Sequence, residues 1–104
     1  HRYSNRRTRM KRDIFEDYVD RVSARFDIPR ERLFAKDKSR DVVDARHMLY
    51  YLCKERPMTN TYIKRYMTEN GYAIDLPSIA HGLKRVEEHI ANDPDYTTLI
   101  NQLK

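Results

Sequence analysis

Three amphipathic segments between Asp41 and Glu88 constrain the fold of this chain more than any other feature. In each of them, apolar residues recur at the spacing of one helical face. The first segment ends near Pro57, the second ends near Gly71, and the third begins at Asp75. Proline cannot continue a helix, and glycine accepts the left-handed backbone at a helix end. The pattern therefore predicts three consecutive helices, of which the last two are joined by a short turn.

Every predicted helix has one apolar face, as a small bundle requires. A long helix is predicted from about Thr8 to the residue before Pro29, because proline disfavours helical geometry in the residue that precedes it. A short helical turn and a charged connector follow, and a final short helix is predicted after Asp93-Pro94. No segment has the alternating apolar and polar residues that would predict a β-strand instead of a helix. The positions predicted to face the core are Ile14, Phe15, Tyr18, Val19, Val22, Phe26, Leu33, Phe34, Ala45, Met48, Leu49, Leu52, Cys53, Ile63, Tyr66, Met67, Ile79, Leu83, Val86, Ile90, Tyr96, Leu99, Ile100 and Leu103.

The length and composition fit one compact helical domain. The chain has 104 residues, of which 39% are apolar and 36% charged, and a helix needs only a stripe of apolar residues to join a core. Two glycines and four prolines argue against a loop-rich or all-β fold. The predicted fold is therefore all-α, a small bundle of five to six helices.

Cysteine content and hydropathy indicate the redox compartment of the chain and whether it spans a membrane. A single cysteine, Cys53, excludes an internal disulfide and favours a reducing compartment. No apolar run approaches the roughly 18 residues of a membrane span. The N-terminus is basic, but no apolar segment follows it, so a signal peptide is not predicted. The chain begins with His rather than Met, as a fragment or a processed chain would.

Positive charge is concentrated at the N-terminus. Residues 1–12 carry six cationic side chains and no acidic one, whereas the other 92 residues carry 15 basic and 16 acidic groups. The net charge of +5 therefore belongs to an arm, and such arms bind a polyanion or solubilise the chain. We predict a flexible basic arm over residues 1–8 and a folded domain over residues 9–104. The cations of this N-terminal stretch are Arg2, Arg6, Arg7, Arg9, Lys11 and Arg12.

Two helices joined by a short turn, the second with a polar outer face, make a helix-turn-helix pattern. Residues 36–55 (Lys-Asp-Lys-Ser-Arg-Asp-Val-Val-Asp-Ala-Arg-His-Met-Leu-Tyr-Tyr-Leu-Cys-Lys-Glu) resemble the basic loop and following helix in the C-terminal DNA-binding domain of the bacterial replication initiator DnaA. Residues 75–82 (Asp-Leu-Pro-Ser-Ile-Ala-His-Gly) are similar to that family's signature, Asp-His-Thr-Thr-Val-x-His-Ala, and residues 84–87 continue in step. The resemblance covers roughly residues 11–104. It implies a helix-turn-helix domain of Trp-repressor-like fold.

The chain departs from the family pattern at several positions. Leu76 and Pro77 replace the first His and first Thr of the signature, whereas its Asp, its second Thr (as Ser78) and its second His are retained. Asp44-Ala45-Arg46 replaces Arg-Pro-Arg, and the link between the paired helices is longer by about one helical turn. Because of these replacements, we do not expect the family's usual box sequence to be the target. No phosphate-binding Gly-Lys-Ser/Thr motif of the kind found in ATPase modules accompanies these stretches.

The resemblance places the first turn of the second paired helix in the major groove of duplex DNA, where short or donor-rich side chains read base edges. By the same analogy, the connector contacts the phosphate backbone, and Arg40 alternatively enters the minor groove. The predicted base-reading residues are Asp75, Leu76, Pro77, Ser78 and His81. The predicted backbone contacts are Lys36, Lys38, Arg40, Arg46, Asn60, Lys84 and Arg85.

Plainer roles stay open for several of these residues. Asp75 stands where a helix cap is expected, and His81 can equally be half-buried against a neighbouring helix. The connector can be a solvated charged loop. Tyr50, Tyr51, Tyr62 and Tyr66 can stack on bases, although at helical spacing they are expected at the edge of the core.

The sequence gives no basis for an enzyme, a cofactor or a metal site. Two glycines cannot make a phosphate cradle, and no Ser/His/Asp set converges recognisably. His47, His81, His89 and Cys53 lack the spacing of metal ligands, and Cys53 lies on an apolar stripe. We therefore predict a binding protein rather than an enzyme.

The predicted function is binding to double-stranded DNA, in replication initiation or transcription control of a phage or mobile element. The predicted location is the cytoplasm, in a bacterial nucleoid or a phage-infected cell, with no membrane partner. The alternative is a protein-interaction module that inherited the fold and lost base reading. In that case the arm docks on an acidic protein or on a viral assembly, and the location includes the virion. If DNA is the partner, we expect the connector and the tip of the reading helix to lie side by side.

Overall fold

The computed structural model describes the backbone of residues 2–104 and the side chains of residues 10–104. Within residues 2–104 the chain forms six α-helices and no strand, which confirms the predicted all-α bundle. The helices are α1 (Arg2–Phe26), α2 (Arg30–Leu33), α3 (Arg40–Lys54), α4 (Asn60–Glu69), α5 (Leu76–Asn92) and α6 (Pro94–Leu103).

Helix α3 is the centre of the bundle, because it packs against each of the other five helices. Its predicted apolar stripe is the face that it buries, and all five residues of that stripe are fully buried. The other helices surround it with one continuous core. The core residues are Phe15, Tyr18, Val19, Val22, Ile28, Leu33, Val42, Ala45, Met48, Leu49, Tyr50, Leu52, Cys53, Met58, Ile63, Tyr66, Met67, Ile79, Val86, Ile100 and Leu103.

Local backbone chemistry sets the helix ends near the turn between α4 and α5. Gly71 has φ 97°, a left-handed conformation that glycine adopts without a Cβ penalty. The Tyr72 amide then donates to the Met67 carbonyl at 3.0 Å, which closes the last turn of α4. Asp75 caps α5, because its carboxylate accepts a hydrogen bond from the Ser78 amide at 2.8 Å. The predicted positions of both ends are confirmed.

Two helix starts differ from the sequence prediction. α1 begins at Arg2 rather than near Thr8, and no glycine or proline interrupts this stretch, which is rich in arginine, a good helix former. α3 begins at Arg40, with Ser39 as its N-cap residue, so Asp41 lies in the first turn instead of capping it. The side chains of residues 1–9 lie outside the described part of the structure, and the flexibility of the arm stays a prediction.

α1 is the longest element and gives the molecule its elongated shape. Its 25 residues span about 37 Å, in a molecule of 44 × 26 × 26 Å. Phe15, Tyr18, Val19 and Val22 form the face that it buries. In the described part of the chain, no helix combines the length and apolar character needed to cross a membrane.

Candidate nucleic-acid interface

An open groove of about 550 Å³ separates the connector from the N-terminal end of α5. We define the connector as residues 36–40 and call this feature the connector groove. Lys38 of the connector and Pro77, Ser78 and His81 of α5 line the groove. The other lining residues are Val43, Arg46, His47, Tyr50, Tyr72, Ile74 and Asp75. The structure thus brings a predicted backbone contact next to four of the five predicted base-reading residues.

The connector exposes its positive charges and holds its one carboxylate in local hydrogen bonds. The Asp37 carboxylate accepts hydrogen bonds from the Ser39 amide at 2.8 Å, from the Ser39 hydroxyl at 2.7 Å and from Arg32 Nε at 2.9 Å. These bonds from Ser39 and Arg32 lower the pKa of Asp37 to about 2. Lys36, Lys38 and Arg40 are exposed. None of the three has an ion-pair partner within the part of the chain that the structure describes.

Arg46 does not fit its predicted role as a phosphate contact. Its side chain is only 3% exposed, although the sequence places a charged group at this position. The guanidinium donates to the carbonyl oxygens of Leu33 and Asp37, both at 2.7 Å, and to those of Arg32 and Ala35. A phosphate could reach this group only after these bonds were broken. We correct the prediction accordingly and assign Arg46 to the interior wall of the groove.

The tip of α5 is already capped, and the amides of Ser78 and Ile79 are not available to an anion. Asp75 accepts from the Ser78 amide, its backbone carbonyl accepts from the Ile79 amide, and Pro77 has no N–H to offer. Hydrogen bonds from the Ser78 side chain and amide hold the pKa of Asp75 below its usual range. The cap interpretation of Asp75 is therefore the one that its geometry fits. Leu76, at 41% exposure, is the apolar residue at this tip.

A pair of histidines forms part of the groove wall. His81 is exposed on α5, and its ring meets the ring of His47 edge to face, with centroids 6.1 Å apart. His47 is half-buried, and burial lowers its pKa. Asp44 opposes this shift, whereas the positive charges of His81, Arg85 and His89 add to it. His81 therefore has the exposure that a contact to DNA requires.

The other predicted backbone contacts differ in accessibility. Lys84 is exposed and, in the described part of the structure, has no ion-pair partner. Arg85 is paired with Glu88 at 2.6 Å. Asn60 is half-buried at the start of α4 and does not line the connector groove. Lys84 is thus the best placed of the three.

Lys64 is a candidate that the sequence interpretation did not include. It is exposed on α4, and its positive charge is the smallest of the influences that lower the pKa of Asp75. The signal in the sequence is that Lys64 falls outside the apolar stripe formed by Ile63, Tyr66 and Met67.

Two of the six cations at the N-terminus are held against α4. Lys11 Nζ lies 3.9 Å from the centroid of the Tyr62 ring, and Arg12 forms an ion pair with Glu69 at 3.2 Å. The predicted sites Arg2, Arg6, Arg7 and Arg9 fall in the stretch whose side chains lie outside the described residues. α1 therefore places the base of the arm on the α4 side of the molecule.

The tyrosines and Cys53 occupy the positions expected of core residues. Tyr50 and Tyr66 are buried, and Tyr51 and Tyr62 are half-buried against the core. Burial also raises the pKa of Cys53 to about 12, which keeps the sulfur protonated. Among the described side chains, no group of three or more His, Cys, Asp or Glu is arranged to hold a metal ion.

Comparisons with models of protein families, with curated proteins and with solved structures found no match. The resemblance to the DNA-binding domain of the initiator therefore rests on residues 36–55 and 75–87 alone. The geometry of the connector groove is an independent observation, because it does not depend on that resemblance.

Proposed function

We propose that this chain binds duplex DNA with the first turn of α5 in the major groove and the connector on the adjacent phosphate backbone. The observation that carries the proposal is the connector groove, which Lys38, Ser78 and His81 line together. A sugar-phosphate strand lying in that groove would meet the Lys38 ammonium group and the polar side chains of Ser78 and His81. This arrangement combines backbone positioning with base reading, the two tasks of a DNA-binding surface.

The order of elements also supports a helix-turn-helix role for α4 and α5. In that motif the first helix crosses the backbone and the N-terminal residues of the second contact base edges. Lys64 gives α4 an exposed cation, as such a crossing requires. Ser78 and His81 supply hydrogen-bonding groups, and Leu76 and Pro77 supply apolar contact, for example to a thymine methyl group.

The resemblance to the initiator family adds a biological setting to this proposal. A domain of this kind would act in replication initiation or transcription control of a phage or mobile element. Because Leu76 and Pro77 replace two signature residues, the preferred site would differ from the family's usual box. Phosphate contacts would supply most of the affinity, and the tip of α5 would supply the sequence preference.

Fluorescence anisotropy with duplex DNA over a series of salt concentrations tests the proposal. We expect binding whose affinity falls steeply with salt, since each neutralised phosphate contributes about −0.9 to the log–log slope. Lys38→Ala and Lys64→Ala should each reduce that slope by about one unit. Lys54→Ala is the matched control, because Lys54 is an exposed lysine at the far end of α3 from the connector. An absence of salt-dependent binding at micromolar protein, or an equal effect of Lys54→Ala, would contradict the proposal.

A second candidate function is favoured by the exposed side chain of Leu76. An apolar residue beside a capped helix tip suits a protein partner, and the basic arm would then dock on an acidic protein or a viral assembly. Selection from a random pool of DNA duplexes separates the two candidates. Enrichment of one sequence that depends on Ser78 and His81 would exclude protein binding as the main role. Salt-dependent binding without any enrichment would favour it.

A further inference from the structure

We propose that Arg46 is a positioning residue that holds the connector and the segment before α5 in one arrangement. Lys38 and the tip of α5 would then face the same DNA strand before DNA arrives. This inference rests on the proposed function for its purpose. Its structural part, the ordering of the connector by Arg46, can be tested without DNA.

The hydrogen bonds of Arg46 all lead to one short stretch of backbone. Nε donates to the Leu33 carbonyl, one terminal nitrogen donates to the Asp37 carbonyl, and the other donates to those of Arg32 and Ala35. Four of the five N–H groups of the guanidinium are thus used, in a fork geometry that lysine cannot reproduce. Four carbonyl groups between the end of α2 and the connector therefore accept hydrogen bonds from a single side chain.

The face of the same guanidinium packs on the turn that precedes α5. Its central carbon lies 4.3 Å from the centroid of the Tyr72 ring, which is within the range of a cation–π contact. Tyr72 is half-buried in the link between α4 and α5, and it lines the connector groove beside Lys38 and Ser78. The buried side chain of Arg46 thus contacts both the connector and the α4–α5 link, two of the segments that line the proposed DNA surface.

These contacts use the polar groups of Asp37 and leave the connector cations exposed. Arg46 donates a hydrogen bond to the Asp37 carbonyl, and the Asp37 carboxylate accepts hydrogen bonds from Ser39 and Arg32. Lys36 and Lys38 are left exposed to solvent. A connector fixed in this way loses little conformational freedom on binding, and preorganisation of this kind increases affinity.

The charge-conserving variant Arg46→Lys isolates positioning from electrostatics. In the free protein, we expect hydrogen exchange at the amides of residues 34–39 to become at least tenfold faster. With duplex DNA, we expect weaker binding and a salt slope less negative by about one unit, although the net charge is unchanged. Tyr72→Leu should also accelerate exchange at these amides, because it removes the ring on which the guanidinium packs. Exchange and not DNA affinity is the readout for this variant, since Tyr72 itself lines the connector groove.

Leu103→Ala is the control for a general loss of stability, since it removes a core side chain of α6 that is distant in sequence from the connector. All variants are compared at temperatures where each is fully folded. Unchanged exchange at the connector amides in Arg46→Lys, or an equal acceleration in Leu103→Ala, would overturn the inference. Unchanged DNA affinity and salt slope in Arg46→Lys would also overturn it. If the wild-type chain does not bind duplex DNA, the proposed function fails, whereas the exchange experiment still decides whether Arg46 orders the connector.

Discussion

Gly82 determines how closely α5 can approach α3. A Cβ atom at this position would lie 2.7 Å from His47 Cδ2 and 2.9 Å from Tyr50 Cδ2, distances that real Cβ atoms do not show. His47 is half-buried and can move, but Tyr50 is fixed in the core. Gly82 therefore allows a closer contact between the two helices than a residue with a Cβ atom would allow.

We expect Gly82→Ala to destabilise the protein by about 1–3 kcal/mol, the usual cost of overpacking, in urea unfolding experiments. Helix propensity alone predicts that Gly82→Ala stabilises the protein, since Ala is favoured over Gly by about 1 kcal/mol within a helix. His47→Ala in the same chain should recover part of the loss, because it removes one of the two contacts. A Gly82→Ala variant more stable than the wild type would show that the helices separate without cost.

Asp75 stabilises the tip of α5 but places a negative charge on the proposed DNA surface. Asn caps helices about as well as Asp, so we expect Asp75→Asn to change the melting temperature little and Asp75→Ala to lower it. Removing the charge in Asp75→Asn should raise DNA affinity by about fivefold at low salt. Thermal unfolding and anisotropy measure the two effects separately. Equal or weaker DNA binding by Asp75→Asn would argue that the tip does not meet DNA.

His47 makes the stability of the protein depend on pH. Burial lowers the pKa of this imidazole below its usual value of 6.5, so the unfolded chain binds the proton more readily than the folded one. Its contribution to stability is therefore complete above pH 6.5 and decreases as the pH falls below that value. We expect His47→Gln to flatten the dependence of unfolding free energy on pH between 7 and 5. The exposed His81, changed to Gln, serves as the comparison and should leave most of that dependence in place.

At the scale of elements, two residues make hydrogen bonds that fix the connector: Asp37, which lies within it, and Arg46, which lies in the core. Bonds from Ser39 and Arg32 lower the pKa of Asp37 from 3.8 to about 2. The stabilisation that they provide is complete above pH 3.8 and is lost as the pH falls through 2. We expect NMR titration of the Asp37 carboxyl carbon to give a midpoint near 2, and the Ser39 amide shift to follow it. A midpoint close to 3.8 would mean that the connector is not held in this conformation.

Most helix ends could be predicted from the sequence because they depend on local backbone chemistry. Pro29, Gly71 and Asp75 each act within a few residues, and α1, α4 and α5 end or begin where they require. The start of α1 was predicted too late, because the predicted helix followed the apolar period and the basic residues before it carry none. Apolar spacing identifies the buried face of a helix, but it does not mark the end of a helix that extends beyond its partners.

The candidate site was less predictable than the fold, because it depends on contacts between distant segments. Arg46 was assigned to the surface by analogy with the basic loop of the initiator family, whereas Val42 and Leu49, one helical turn away on either side, indicate a buried face. Only the folded chain brings four carbonyl groups within reach of that guanidinium. Lys64 was missed for a related reason, since its distance from Asp75 depends on the conformation of the turn between α4 and α5.

At the scale of the whole molecule, the N-terminal cations are expected to contribute to affinity rather than to stability. Among the side chains that the structure describes, Phe15 is the first of the core, and Lys11 and Arg12 already contact α4. Removing residues 1–9 deletes four arginines, so we expect the log–log salt slope to become less negative by about 3 to 4 units. The melting temperature should change little. DNA affinity that does not change after this truncation would place the main electrostatic contact elsewhere.

The central position of α3 has a thermodynamic consequence. A helix in contact with every other helix leaves no subset of the fold that can melt and keep its own core, so we expect a single two-state transition in calorimetry. A ligand that binds the folded chain in preference to the unfolded one would then raise the one melting temperature of the whole chain, wherever on the folded surface it binds. Thermal shift is therefore a suitable screen for partners of the folded surface.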